Sequence, residues 1–157
     1  MMKIKIIAVG KVKEKYFQEA VNEYLKRLTR YASVSVIEVK EENFVQEPSQ
    51  SEIAVILKKE GENILKELKG DVYVTAIEGK KYSSESFANL IKKVKDGSGE
   101  MSIVIGGSYG VDATIKNKAS GLISFSDMTL PHTLARVVAV EQVYRAFTIL
   151  VDGRYHK

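Results

Sequence analysis

Apolar residues in this chain are concentrated in five short stretches that are predicted β-strands. The stretches lie at positions 3–9, 34–39, 71–77, 101–107 and 122–126, where β-branched residues are frequent and apolar positions alternate or follow one another. The fourth stretch, MSIVIGG, is apolar almost throughout. Such a run is expected of a central parallel strand that is covered on both faces.

Helical periodicity fills most of the chain between these strands. Positions 14–30 carry apolar side chains three or four residues apart, which predicts an amphipathic helix. A turn is expected at Gly79. Strands that alternate with helices indicate a single α/β domain, residues 1–157, with a mostly parallel sheet flanked by helices. Capping signals predict three further helices: one that follows Ser49 or Ser51 and ends at Leu68, one that follows Ser83 or Ser84 and ends near Lys95, and one that begins after Pro131 and ends near Val151.

The composition narrows the class of protein. The 157 residues suffice for one domain with a sizeable core. Without cysteine, and with His132 and His156 as its only histidines, the chain has no thiol nucleophile and too few ligands for a zinc centre, so no metal is expected. No segment approaches the roughly 20 apolar residues of a transmembrane helix, and the first apolar run is too short for a signal peptide, so we expect a cytoplasmic protein without a membrane partner. The net charge of +4 is compatible with a nucleic-acid partner but does not require one.

Two loops follow the fourth and fifth predicted strands, at the edge where open α/β sheets bind ligands. The first, GGSYG from Gly106 to Gly110, lacks the lysine of a phosphate-binding P-loop and the spacing of a dinucleotide fingerprint. This argues against a nucleotide-binding protein of the Rossmann or flavodoxin type. Two interpretations remain, a tight turn or a loop whose backbone approaches a compact ligand closely.

The second loop, Ser126 to Pro131, enters the last helix, whose first turn carries His132. The positive end of the helix dipole favours the neutral imidazole, which can accept a proton or a hydrogen bond. Arg136, on the same helix, is either paired within the protein or directed at an anionic group. The helix is apolar nearly all round, which favours burial at a subunit interface and a homodimer. Glu141 and Arg145 are four residues apart and are expected to pair.

The chain ends in Tyr155, His156 and Lys157, which combine an aromatic ring, a titratable group and a cation. Such a set suits RNA, because bases stack on aromatic rings and phosphates attract lysine. An inert terminus is the alternative.

Several motifs together resemble one known family. They are AVGKVKEKY near the start, KKEGENIL at 58–65, IGGSYG, FSDMTLPHTLARVVAVEQVYRAF and the terminal YHK. The similarity extends over essentially the whole chain from Met2 and identifies it as a member of the ribosomal large subunit methyltransferase H family, small SPOUT-class RNA methyltransferases.

The resemblance implies an S-adenosylmethionine-dependent enzyme that methylates N3 of a pseudouridine in the helix 69 loop of 23S rRNA in assembled 70S ribosomes. It also implies a homodimer and a C-terminal trefoil knot whose loops hold the cofactor. The implied cofactor-binding positions are Ala76, Gly106, Phe125, Ser126, Asp127, Met128, Thr129 and Leu130. Ala76 stands where the family often has leucine, so one wall of the pocket is expected to be less filled.

The tail and the start of the last helix are the implied catalytic and RNA-binding segments. His156 and Tyr155 are expected to position the target base and help remove its proton, and His132 to shape the knot loop and contact substrate. Arg154 replaces the commoner proline and is expected to bind RNA together with Tyr155, Lys157 and Arg136. Of these, Lys157 or Arg154 is expected to neutralise phosphate. A non-catalytic RNA- or ribosome-binding module of the same fold is the alternative function.

Overall fold

A five-stranded parallel sheet forms the centre of the computed structural model, which describes residues 1–44, 46–151 and 154–157. Every hydrogen-bonded strand pair in the described residues is parallel. The sheet order is β2-β1-β4-β3-β5. The strands are β1 (Lys3–Val9), β2 (Ser33–Val39), β3 (Asp71–Lys81), β4 (Glu100–Ile105) and β5 (Gly121–Ser124).

In the described part of the chain, five helices connect or follow these strands. Ser49 caps α2 by a reciprocal capping box with Glu52, and the Ser83 hydroxyl accepts a hydrogen bond from the amide of Ser86 at the start of α3. Each of these is one of the two serines that the sequence offered as a cap. The helix α4 was not predicted, because six residues are too few to show a helical period. The helices are α1 (Lys15–Leu28), α2 (Gln50–Glu67), α3 (Ser84–Asp96), α4 (Ala113–Lys118) and α5 (His132–Val151).

The helices lie in two layers, one on each face of the sheet. Alternate residues of β1 point to opposite faces. Ile4 and Ile6 pack in a core with buried residues of α1, α3 and α5, whereas Ile7 and Val9 pack in a second core with Ile64 of α2 and Ile115 of α4. The central strands are thus buried on both sides, as the apolar composition of β4 predicted.

Strand β3 departs from the predicted turn at Gly79. It continues to Lys81, and both Thr75 and Lys80 pair with Ile123 of β5, so residues 76–79 bulge out of the ladder. A Cβ atom on Gly79 would lie only 2.7 Å from the carbonyl carbon of Leu122 and 2.8 Å from main-chain atoms of Ile123. The glycine is therefore required by the close approach of two backbones rather than by a turn.

The apolar helix α5 is covered largely within its own chain. It contacts both α1 and α3, and none of its side chains from His132 to Leu150 is exposed. The rings of Tyr31 and Phe147 stack with centroids 5.9 Å apart. Because packing in one chain accounts for much of the apolar pattern, the homodimer stays a prediction.

Candidate functional site

A cavity of about 360 Å³ lies at the carboxyl ends of β3, β4 and β5. Its walls are the bulge of β3, the glycine loop after β4, the loop after β5 and the first turn of α5. This is the edge at which parallel sheets place ligand sites. Seven of the eight predicted cofactor-binding residues line it: Ala76, Gly106, Phe125, Ser126, Met128, Thr129 and Leu130.

Asp127 is the predicted cofactor residue that does not line the cavity. Its carboxylate lies 2.5 Å from Nζ of Lys81 and its side chain is 78% exposed. Because the carboxylate is turned outward into this ion pair, the geometry gives no support to a cofactor contact by the Asp127 side chain.

The glycine loop is both a tight turn and a wall of the cavity. The amide of Gly110 donates to the carbonyl of Gly107 at 3.1 Å, and Gly110 has a φ of 89°. A Cβ atom on Gly106 would lie 2.5 Å from the carbonyl oxygen of Gly110. Glycine is thus needed at Gly106 for close approach and is favoured at Gly110 by its left-handed φ.

Internal hydrogen bonds of Ser126 order the loop after β5. Its carbonyl accepts from the Ser124 hydroxyl at 3.0 Å, and its hydroxyl accepts from the amide of Met128 at 2.9 Å. Phe125 and Leu130 pack against the main core on the cavity side. The loop therefore presents an apolar wall on a backbone that is fixed by its own side chains.

Glu78 and Lys116 bring an ion pair into the cavity wall that the sequence did not reveal. Lys116 Nζ lies 2.8 Å from Glu78 Oε1, and this hydrogen bond lowers the pKa of the Glu78 carboxyl. The two residues are 38 positions apart, and the pair exists only because the bulge of β3 faces the unpredicted helix α4. Spacing in the sequence could not have found it.

The partly buried His132 and the buried Arg136 lie together beside the cavity. His132 lines the cavity, and its pKa is lowered by burial first and by the Arg136 charge second. The predicted neutral form of His132 is supported, and burial is the main cause of the lowered pKa.

Arg136 is 1% exposed and its guanidinium is paired inside the protein. It donates to Glu38 Oε2 at 2.7 Å and to the carbonyls of Gly10 at 2.7 Å and Val9 at 3.1 Å. The geometry gives no support to the prediction that Arg136 contacts RNA, because its charge is enclosed and compensated by Glu38.

The tail packs on the middle of α5 and not against the cavity. The Tyr155 hydroxyl donates to Glu141 Oε1 at 3.2 Å, and the Tyr155 ring lies edge-on to that of Tyr144 with centroids 4.8 Å apart. Burial, followed by the hydrogen bond with Tyr24, raises the pKa of Tyr155. Arg145, which forms the predicted pair with Glu141 at 2.5 Å, lies over the Tyr155 ring.

Both ring nitrogens of His156 are engaged in this docked tail. Nδ1 lies 3.1 Å from Nη1 of Arg145, and Nε2 lies 2.8 Å from Glu85 Oε1. Tyr144 is nine residues after the cavity residue Ala135, or about 14 Å along the helix axis. A single chain therefore does not bring Tyr155 or His156 to the cavity. Lys157 and Arg154 are exposed.

In the described parts of the chain no group of three or more His, Cys, Asp or Glu side chains is arranged to hold a metal ion. None of the helices there has the length and apolar character needed to cross a membrane.

A family model described as "Predicted SPOUT methyltransferase" matches residues 2–156. The chain is 46% identical to the ribosomal RNA large subunit methyltransferase H of Lactobacillus helveticus over 99% of this chain and 100% of the relative. It is 46% identical, with the same coverage, to a putative ribosomal RNA large subunit methyltransferase H of Methanococcus maripaludis. A solved structure of a probable methylase family protein from Haemophilus influenzae has the same fold, with a TM-score of 0.55, 13% identity and coverage of 98% of this chain and 70% of that one.

Proposed function

The chain belongs to the SPOUT methyltransferase family, and from this premise we propose that it methylates large-subunit ribosomal RNA with S-adenosylmethionine as methyl donor. More narrowly, the target is N3 of a pseudouridine in the helix 69 loop of 23S rRNA in assembled ribosomes, and the site of action is the cytoplasm. The relatives that carry the name ribosomal RNA large subunit methyltransferase H match over their full length, which supports the same substrate class for this chain.

The observation that carries the proposal is the cavity at the strand ends. Three loops that are distant in sequence converge there, and seven of the eight positions implied by the family resemblance line it. Apolar walls from Phe125 and Leu130 suit the faces of an adenine ring, and backbone groups of the glycine loop suit its polar edge. The residues present therefore fit the methyl donor, and Glu78 and Lys116 are the charged groups that can meet its polar end.

S-adenosylmethionine supplies an electrophilic methyl group, so the protein has to orient the base and accept its N3 proton. The apolar and backbone groups of the cavity orient the base and exclude water. His132, at the cavity wall, is in reach of a bound base. His156 is the proposed proton acceptor, and its neighbour Tyr155 helps to position the base. Arg154 or Lys157 neutralises RNA phosphates.

We propose that the tail serves the cavity of a second copy in a homodimer. In one chain the tail docks about 14 Å from the cavity along α5 and its histidine is engaged on both nitrogens. A symmetric dimer lets the same segment leave one protomer and complete the site of its partner. The trefoil knot that the family resemblance implies is part of the same proposal.

The test combines donor binding with methyl transfer to ribosomes that lack the modification, followed by mass mapping of the RNA. Phe125→Ala is expected to weaken donor binding in calorimetry, whereas Asp127→Asn, next to the cavity but outside it, is expected to leave it unchanged. Absence of donor binding by the unaltered protein would contradict the proposed enzyme and favour the alternative, a non-catalytic ribosome-binding module of the same fold.

A complementation experiment tests the shared site. His156→Gln and Gly106→Val are each expected to be inactive, and co-expression in one cell is expected to restore activity in mixed dimers that hold one intact cavity and one intact tail. Failure of the mixed dimers to recover activity would contradict the shared site without affecting the assignment of the donor cavity.

A further inference from the structure

The first turn of α5 places an arginine against a histidine ring at the cavity wall. Nη2 of Arg136 lies 2.9 Å from Nδ1 of His132, four residues earlier on the same helix. All N–H groups of a guanidinium are donors, and none of its nitrogens accepts a hydrogen bond. Nδ1 of His132 is therefore the acceptor, and the proton of the neutral ring is on Nε2.

The arginine is fixed in this position by other partners. Nη1 donates to Glu38 Oε2 at 2.7 Å, and Nη2 donates to the carbonyls of Gly10 and Val9. The two hydrogens of Nη2 are thus shared among three acceptors, which are the two carbonyl oxygens and Nδ1 of His132. However they are shared, Nη2 cannot accept a hydrogen bond, so Nδ1 cannot be a donor to it. Movement of Arg136 would leave buried carbonyls unpaired, which is costly.

Burial and the charge of Arg136 favour the neutral ring of His132. Glu41, Glu14 and Glu38 favour the charged imidazolium, but burial and Arg136 outweigh them, so the pKa of His132 is lowered. The ring also lies against Gly10, where a Cβ atom would be 3.3 Å from Cε1. A side chain at that position would crowd the ring and disturb its hydrogen bond with the arginine.

We propose that Arg136 and Glu38 are positioning residues that hold His132 as an Nε2–H donor to a carbonyl oxygen of the target base. Nε2 has no hydrogen-bond partner among residues 1–44, 46–151 and 154–157, and the ring lines the cavity. When N3 of a uracil-type base loses its proton, negative charge spreads to the flanking carbonyl oxygens, and an aligned donor stabilises it. His132 is then not the proton acceptor. The identity of the base rests on the proposed function, whereas the tautomer does not.

Nuclear magnetic resonance of the full chain with ¹⁵N-labelled histidine measures the tautomer directly. The protein has only two histidines, so His156→Gln assigns both rings. At neutral pH we expect the lone-pair shift on Nδ1 of His132 and the protonated shift on Nε2. A protonated Nδ1 in the neutral ring would overturn the proposal, whether or not the protein methylates RNA.

Two variants of the positioning residues are expected to move the titration of His132 in opposite directions. Arg136→Met removes the cation and the fixed donor, so the midpoint should rise and the tautomers should mix. Glu38→Gln keeps an acceptor for Arg136 but removes a carboxylate that favours the imidazolium, so the midpoint should fall. If Arg136→Met does not fold, Glu38→Gln still tests the proposal. An unchanged His132 titration midpoint in Glu38→Gln would contradict the coupling of His132 to the positioning residues.

Single-turnover methyl transfer against pH separates a donor from a base. If His132 is a hydrogen-bond donor, the fall in the methyl-transfer rate at low pH does not follow the titration midpoint of His132 measured by magnetic resonance. An acid limb that coincides with that midpoint, and moves with it in Glu38→Gln, would show that His132 accepts the proton and would overturn the proposal. If the unaltered protein transfers no methyl group, the proposed function fails and the tautomer result still stands.

Discussion

Gly79→Ala is expected to weaken both the fold and the cavity, because it inserts a methyl group between the backbones of the neighbouring strands β3 and β5. The new Cβ would lie 2.7 Å from the carbonyl carbon of Leu122, whereas ordinary contacts begin at 3.4 Å. One backbone has to move by the difference, 3.4 minus 2.7, or 0.7 Å. Overpacking of this kind costs about 1–3 kcal/mol. The φ of Gly79 is outside the left-handed region, so backbone strain adds nothing.

Urea unfolding and donor calorimetry together measure this effect. The displaced segment includes Ala76, a wall of the cavity, so S-adenosylmethionine affinity should fall about tenfold, which is 1.4 kcal/mol. Gly99→Ala is the control: its φ of 73° predicts a loss of about 1 kcal/mol, but it lies far from the cavity and should not change affinity. If Gly79→Ala has the stability and affinity of the unaltered protein, the close approach of β3 and β5 is refuted.

Three further predictions concern charged groups. Removing the Glu78–Lys116 pair with Lys116→Met should lower the urea midpoint slightly near neutral pH. The pKa of the Glu78 carboxyl is lowered in the folded state. Its contribution to the free energy of unfolding is therefore present above the unfolded pKa and is lost as the pH falls through the folded pKa. A difference in urea midpoint between Lys116→Met and the unaltered protein that persists in acid would contradict this. Glu60 is 3% exposed and burial raises its pKa, so its contribution to the free energy of unfolding is lost as the pH rises through the folded pKa. The stability of Glu60→Gln relative to the unaltered protein should therefore be higher at neutral pH than in acid. The reverse order in urea unfolding would refute this prediction. Three exposed lysines lie around Val12, whose amide donates to Glu38 near the cavity. Replacing them with glutamine should reduce the slope of log binding constant against log salt concentration for ribosome binding by about 2 to 3. The same change at the opposite edge of the sheet should leave that slope unchanged. The two sets are Lys11, Lys13 and Lys15, and the control Lys69, Lys93 and Lys95.

The sequence predicted the strands because their apolar runs are long enough to be read locally. All five are confirmed, and β1 has its predicted bounds. The end of β3 was wrong because local signals at Gly79 indicate a turn, whereas the strand resumes its pairing with β5 after a bulge. The requirement for glycine there comes from a segment more than 40 positions later, which no local pattern contains.

The cavity was predictable in part because strand ends and loops are visible in the sequence. Adjacent parallel strands bring their carboxyl ends to one edge, so the glycine loop and the loop after β5 could be placed together from the sequence pattern, whereas Ala76 was implied by the family resemblance. Arg136 could not be resolved, because a lone arginine on an apolar helix suits either an internal partner or an anionic ligand. Its partner Glu38 is 98 positions away and is reached only through the packing of α5 on β1 and β2.

The two histidines are held by the same device, with different consequences for proton transfer. Each has its Nδ1 beside a guanidinium nitrogen, that of Arg136 for His132 and that of Arg145 for His156. His132 keeps a free Nε2–H in the described chain, which suits a donor. His156 donates its Nε2–H to Glu85, and the lone pair on its Nδ1 accepts from Arg145, so in the docked tail it has no free lone pair with which to accept a proton. If His156 is the base in the proposed reaction, the tail has to leave Arg145 and Glu85 before it acts. That requirement favours exchange of the tail into a partner's cavity over catalysis within one chain.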